Sequence, residues 1–185
     1  MKVYKFGGAS VRDAEGVKNI ASVLESTGFA DMFMVISAMG KTTNALEEMV
    51  KLYVENGNFT GKINEIQQHH LKIAEELFES SVLIKQEIIV FFEDLSAFLR
   101  RNKSPNYDFV YDQVVCCGEL ISTKIVSSYL NSIGIENIWL DVRDYIKTDN
   151  NYREGKVDWE LTEEKFSELK KDKFYVTQGF LGSDP

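Results

Sequence analysis

The sequence predicts an α/β protein built on a mainly parallel sheet, and three observations carry that expectation. Short apolar strand patterns run through glycine-bearing loops into amphipathic helices; strand, helix, strand and helix alternate over the first 54 residues; and strand patterns return at residues 137–141 and 174–177.

Residues 2–6 form a short apolar strand that ends in Gly7-Gly8. Over residues 13–24 the apolar positions Val17, Ile20, Ala21 and Leu24 fall on one helical face, and Gly28 ends it. Residues 32–37 read as a strand buried on both faces, and residues 43–54 as a helix with Leu46, Met49, Val50 and Tyr53 on one side. From residue 61 to 101 the pattern is helical, in two amphipathic stretches divided near Ser80-Ser81. Helix continues over residues 107–130, with an interruption expected at Gly118-Glu119, so the helical insertion beside the sheet extends over about residues 61–130. A strand at 137–141, a short β excursion at 145–159, a helix opening at Thr162 and a buried strand at 174–177 complete the chain. Repeats, low-complexity tracts and proline-rich linkers are absent.

Composition excludes several classes of function. With 44% hydrophobic and 27% charged residues, the 185-residue chain falls in the range of folded globular domains. A net charge of −8 argues against a nucleic-acid surface, which needs a basic patch to bind phosphates. The most apolar helix pattern, at residues 84–99, carries Lys85, Glu87, Glu93 and Asp94, so no membrane partner is expected. Met1-Lys2 leads straight into a strand pattern without a signal-peptide core. Cys116 and Cys117 are adjacent, the wrong arrangement for a structural bridge or a metal knuckle, and read as two buried thiols in a reducing cytoplasm. His69-His70 lacks a convergent carboxylate and is given no metal role.

Two stretches raise the question of phosphate chemistry. Gly40-Lys41-Thr42 looks like the end of a P-loop, but that motif needs a glycine five residues earlier, where this chain has Val35. In Lys5-Phe6-Gly7-Gly8-Ala9-Ser10-Val11 the glycines let backbone N–H groups approach an anion, the following helix start adds its positive end, and Lys5 supplies a point charge. Further polar loops follow at residues 37–44, at Gly118-Glu119 and at residues 178–184. In open α/β sheets, loops at the carboxyl ends of strands converge on one crevice.

Together these stretches resemble, in order and approximate spacing, the aspartate kinases of the amino-acid kinase superfamily. The residues that carry the resemblance are 5–11, 35–44, 118–123, Leu140-Asp141-Val142-Arg143 with Thr148-Asp149, and 178–183, so that it covers essentially the whole chain. Ala9 departs from the pattern, which has threonine there. The resemblance implies a truncated three-layer α/β/α sandwich, with residues 1–185 as the lobe that binds the amino-acid substrate and the nucleotide-binding half and any regulatory domains beyond Pro185. It implies transfer of the γ-phosphoryl group of ATP, accompanied by Mg²⁺, to the β-carboxylate of L-aspartate. Lys5 would be the catalytic cation and, with Gly7, Gly8 and Ser10, would hold phosphate. Ser37 and Thr43 would bind aspartate, Glu119 at a helix entrance would meet its α-ammonium group, and Phe180 would pack along it. A cytoplasmic homo-oligomer is expected for the full-length protein, and no turnover from the lobe alone. A kinase of another carboxylate or of carbamate, or a non-catalytic amino-acid-binding module, are the alternatives.

Overall fold

Among the described residues four strands, all parallel, form one sheet in the order β1-β2-β4-β3: β1 (Lys2–Phe6), β2 (Met32–Ile36), β3 (Ile138–Leu140) and β4 (Phe174–Gln178). The computed structural model describes residues 1–184; Pro185, the last residue of the expected lobe, lies outside them. The helices are α1 (Ala14–Thr27), α2 (Thr42–Val54), α3 (Thr60–Leu77), α4 (Val82–Arg101), α5 (Tyr107–Ser132) and α6 (Trp159–Ser167). No helix among the described residues is long and apolar enough to cross a membrane.

Side-chain alternation along the strands makes the layers. Met32, Met34 and Ile36 of β2 and Phe174 and Val176 of β4 enter the main core with the apolar faces of α1 to α5. Phe33 and Tyr175 turn to the opposite face, where their rings stack at 5.0 Å and Phe166 of α6 lies 6.0 Å from Phe33. The result is the α/β/α arrangement that the family resemblance implies. α5 lies on β2, β3 and β4, while α3 and α4 pack on each other as an outer layer reaching α1, α2 and α5. His70 of α3 is fully buried in that layer, and burial lowers its pKa to about 4, so the ring is neutral.

Three local expectations need correction. α5 runs unbroken through Gly118-Glu119, so Glu119 stands in the middle of a 26-residue helix and not at a helix entrance. Residues 145–159 contain no strand: only the isolated bridges of Lys147 with Ser183 and of Thr148 with Val157 form. α6 opens at Trp159, capped by the Asp158 carboxylate, which accepts the Leu161 N–H at 3.0 Å; Thr162 lies inside the helix and accepts the Lys147 N–H at 3.0 Å.

Candidate active site

Register brings three strand ends level, since Phe6 pairs with Ile36 and Ile36 with Gln178. The loops that follow β1, β2 and β4 therefore leave the sheet side by side, where ligands collect in open α/β folds. The first two are joined: the Ser37 N–H donates to the Phe6 carbonyl at 3.1 Å and the Gly40 N–H to the Gly8 carbonyl at 3.0 Å. Gly8 is glycine because a Cβ there would stand 2.7 Å from the Ala38 carbonyl oxygen. Gly7 differs: a Cβ there would meet nothing within 4 Å, so its bare backbone is open to approach.

The helix end expected to assist an anion at this loop is already occupied. α1 begins only at Ala14, and the Asp13 carboxylate caps it by accepting the Gly16 N–H at 2.9 Å. That bond is also the main cause holding the Asp13 carboxyl below the ordinary range. Ser10 sits in the preceding turn with an exposed side chain, its N–H donating to the Gly7 carbonyl at 2.9 Å. The N-terminus of α2 has no side-chain cap and no acid in its first turn, and Thr43 from that turn faces the shared crevice.

Glu119 reaches the crevice because Gly118 lets α5 come close. A Cβ on Gly118 would meet Leu46 Cδ1 at 3.0 Å, Ala38 Cβ at 3.1 Å and Thr42 Cγ2 at 3.2 Å. Glycine costs a helix interior about 1 kcal/mol relative to alanine, and here its use is contact with the loop that begins α2. Burial pushes the Glu119 carboxyl up to about 7, against the opposing pull of the Ala38 backbone N–H and the Lys5 ammonium. Glu119 Oε2 is buried and, among the described residues, has no hydrogen-bond partner.

The crevice is a cleft of about 1190 Å³ walled by Gly8, Ser37, Thr43, Glu119 and Phe180 among others. Lys5, Gly7 and Ser10 lie outside that lining, at the β1 side. Lys5 Nζ stands 5.6 Å from the centre of the Phe180 ring, and Phe180 is 93% exposed at a left-handed φ of 62°. An aromatic in this position is no part of the core. Across the cleft, Arg153 fastens residues 149–155 to α5: its N–H donates to Asp112 at 2.7 Å, its guanidinium donates to Asp108 at 3.2 Å and lies 4.4 Å from the centre of the Tyr111 ring. Cys116 and Cys117, expected as buried thiols, are half-buried, and Cys116 lines the cleft.

The amino acid kinase family model matches residues 1–185, the full length. The chain belongs to the amino acid kinase family. Within it, the chain is 29% identical over 184 residues to the aspartokinase of Chlamydia trachomatis, covering 98% of this chain and 40% of that protein. It is 32% identical over 157 residues to aspartokinase 1, chloroplastic, of Arabidopsis thaliana, covering 80% and 27%. The fold is similar to that of E. coli aspartokinase III in complex with lysine and aspartate, with a TM-score of 0.85 at 24% identity over 100% of this chain and 42% of that one. The chain thus spans less than half the length of these relatives.

For an amino acid kinase domain, several residues at or behind the cleft carried no role in the sequence reading. Arg143 forms a two-pronged pair with Asp141, Nε to Oδ1 at 2.9 Å and Nη2 to Oδ2 at 2.6 Å. Lys147 Nζ donates to the Ser183 hydroxyl at 2.9 Å, and that hydroxyl donates to the Arg143 carbonyl at 2.7 Å, tying residues 181–184 to the segment after β3. Thr123 and Gln178 stand within quoted motifs, but partners 55 positions apart leave no local signal.

Proposed function

We propose that this chain carries the amino-acid side of an aspartate kinase site, at which the γ-phosphoryl group of ATP passes to the β-carboxylate of L-aspartate. The observation that carries this reading is the pairing of opposite poles on one cleft. Glu119 offers a buried carboxyl with an unpartnered oxygen, and α2 offers an uncapped N-terminus beside Ser37 and Thr43. An amino-acid zwitterion needs both: the carboxylate suits the helix end and the ammonium suits Glu119. The positive charge of a bound ammonium would lower the Glu119 pKa, so that the carboxyl releases its proton to solvent and stays ionised.

Lys5 of β1, whose Nζ stands 5.6 Å from the centre of the Phe180 ring, would meet a second anion. The open backbone of Gly7 fits the approach of a phosphate, since neither packing nor a left-handed φ demands glycine there. Phosphoryl transfer asks the protein mainly for positioning and for neutralisation of charge, and Lys5 supplies one such charge. Mg²⁺, held chiefly on the phosphates, would supply the remaining positive charge. The chain spans 40% of the Chlamydia aspartokinase, so turnover by this chain is proposed to need residues beyond it.

Calorimetry of L-aspartate, L-glutamate and glycine on the 185-residue chain tests the substrate. Preference for L-aspartate is expected, and equal binding of L-glutamate overturns it. An ADP-release assay with Mg-ATP, run on this chain and on a longer protein carrying it, tests the transfer. L-Aspartate binding without turnover in the longer protein would make this a binding module.

A further inference from the structure

The turn of α5 that bears Glu119 is held by a buried polar cluster. The Thr123 hydroxyl, fully buried, donates to the carbonyls of Glu119 and Leu120, each at 3.0 Å. It accepts the Gln178 side-chain N–H at 2.8 Å and the Trp139 indole N–H at 3.0 Å. A hydroxyl has one donor and two acceptor positions, and all are in use. Gln178 is 2% exposed, and its Oε1 accepts the Val142 N–H at 2.9 Å. One residue earlier on α5, Ser122 donates to the Ser37 carbonyl at 2.8 Å.

Back-bonding of threonine to its own helix is common and by itself means little. Here the remaining bonds leave the helix for β3 and β4, and Gln178 is the last residue of β4, directly before Gly179-Phe180. One hydroxyl thus joins the Glu119 peptide to the strand that launches Phe180. Apolar side chains could fill this space without four mutually dependent hydrogen bonds, whereas a satisfied polar cluster fixes a single arrangement.

We propose that Thr123, held by Gln178 and Trp139, is a positioning residue that sets Glu119 against the Ser37 and Phe180 loops for recognition of the substrate ammonium. The proposal rests on the reading of Glu119 given above; Lys5 on β1 is the charged group acting on that carboxyl.

Two substitutions separate positioning from folding. Thr123→Val keeps the shape and removes the hydroxyl; Thr123→Ser keeps the hydroxyl and removes a methyl group. Both lower the melting temperature, one by orphaning two buried N–H groups and the other by opening a cavity. On the 185-residue chain, Thr123→Val is expected to weaken L-aspartate about tenfold, the scale of one misplaced charge-assisted hydrogen bond. A carboxyl ¹³C NMR titration without ligand is expected to show the Glu119 midpoint falling from about 7 towards the ordinary range as water reaches Oε2. Thr123→Ser should match the unsubstituted chain in both readouts despite its lower melting temperature. Valine and serine variants that behave alike, or that follow the melting temperature, overturn the proposal. Should Thr123→Val fail to fold, Trp139→Phe removes one donor only and is expected to move both readouts the same way by a smaller factor; no movement overturns the proposal. If the unsubstituted chain does not bind L-aspartate, the substrate reading fails, and the NMR titration still decides the positioning.

Discussion

The Gly40 amide donates to the Gly8 carbonyl at 3.0 Å, joining the loops after β1 and β2 at the cleft. That bond requires the close approach that leaves a Cβ on Gly8 only 2.7 Å from the Ala38 carbonyl oxygen, while Gly7 has open space. Gly8→Ala is expected to cost about 2 kcal/mol or more, the scale of forcing atoms into a packed site. Gly7→Ala should stay within about 0.5 kcal/mol of the unsubstituted chain. Urea unfolding of the two variants checks the contrast, and ligand affinity lost in Gly7→Ala then reports backbone approach and not folding.

Gly118→Ala sets helix propensity against packing. Alanine gains about 1 kcal/mol as a helix former, but its methyl group would meet Ala38, Thr42 and Leu46 at 3.0 to 3.2 Å. Overpacking costs about 1–3 kcal/mol, and the Ala38 Cβ has no rotamer by which to yield. The expected result in a denaturation midpoint is net destabilisation of about 1 kcal/mol, with L-aspartate affinity falling as Glu119 moves outward.

Glu119 makes stability depend on pH with a defined sign. Its carboxyl is raised from the ordinary 4.5 to about 7, so between those values the unfolded chain has released a proton that the folded chain retains. Stability from this group is therefore full below about pH 4.5 and declines as pH rises towards 7. Glu119→Gln should remove that decline, measured as melting temperature against pH for both proteins. L-Aspartate affinity should rise with pH through 7 in the unsubstituted chain and lose that rise in the variant.

His70 acts with the opposite sign. Burial lowers it from 6.5 to about 4, so stability is full above 6.5 and is lost as pH falls towards 4. Its Nδ1 bonds the Ile66 carbonyl at 2.7 Å, and its Nε2 is buried with no hydrogen-bond partner among the described residues. His70→Phe, which places a ring against Phe92 with no proton to gain, should lose less stability between pH 7 and pH 5 in the same melting series.

The order of strands and helices was legible because side-chain period follows burial: Val17, Ile20, Ala21 and Leu24 are the buried face of α1. Misreadings fell where tertiary contact outweighs local preference. Gly118 suggests a break by propensity, and three neighbours supply its reason to be glycine inside a helix. Asp13 opens the helical stretch in the sequence, and only the fold shows its carboxylate capping the helix end expected for an anion. Thr162 looks like a cap, yet Asp158 holds that place. Of the cleft, the loops could be read from glycine and polar residues after strands. The Arg153 bridge to Asp108 and Asp112 could not, because its partners lie 45 and 41 positions away.

The strand order has a consequence in time. β2 lies between β1 and β4, and β4 is the final strand of the described chain. During synthesis β2 can pair early with β1, but its other edge waits until all six helices have been made. The waiting segment, Met32–Ile36, is MFMVI, without a charge or a proline, the kind of exposed edge that recruits a second copy. Non-local parallel pairing is slow. The long amphipathic helices between the two strands thus also govern how long a nascent chain presents that edge, and a holdase bound there until Phe174–Gln178 emerges would shield it from other chains.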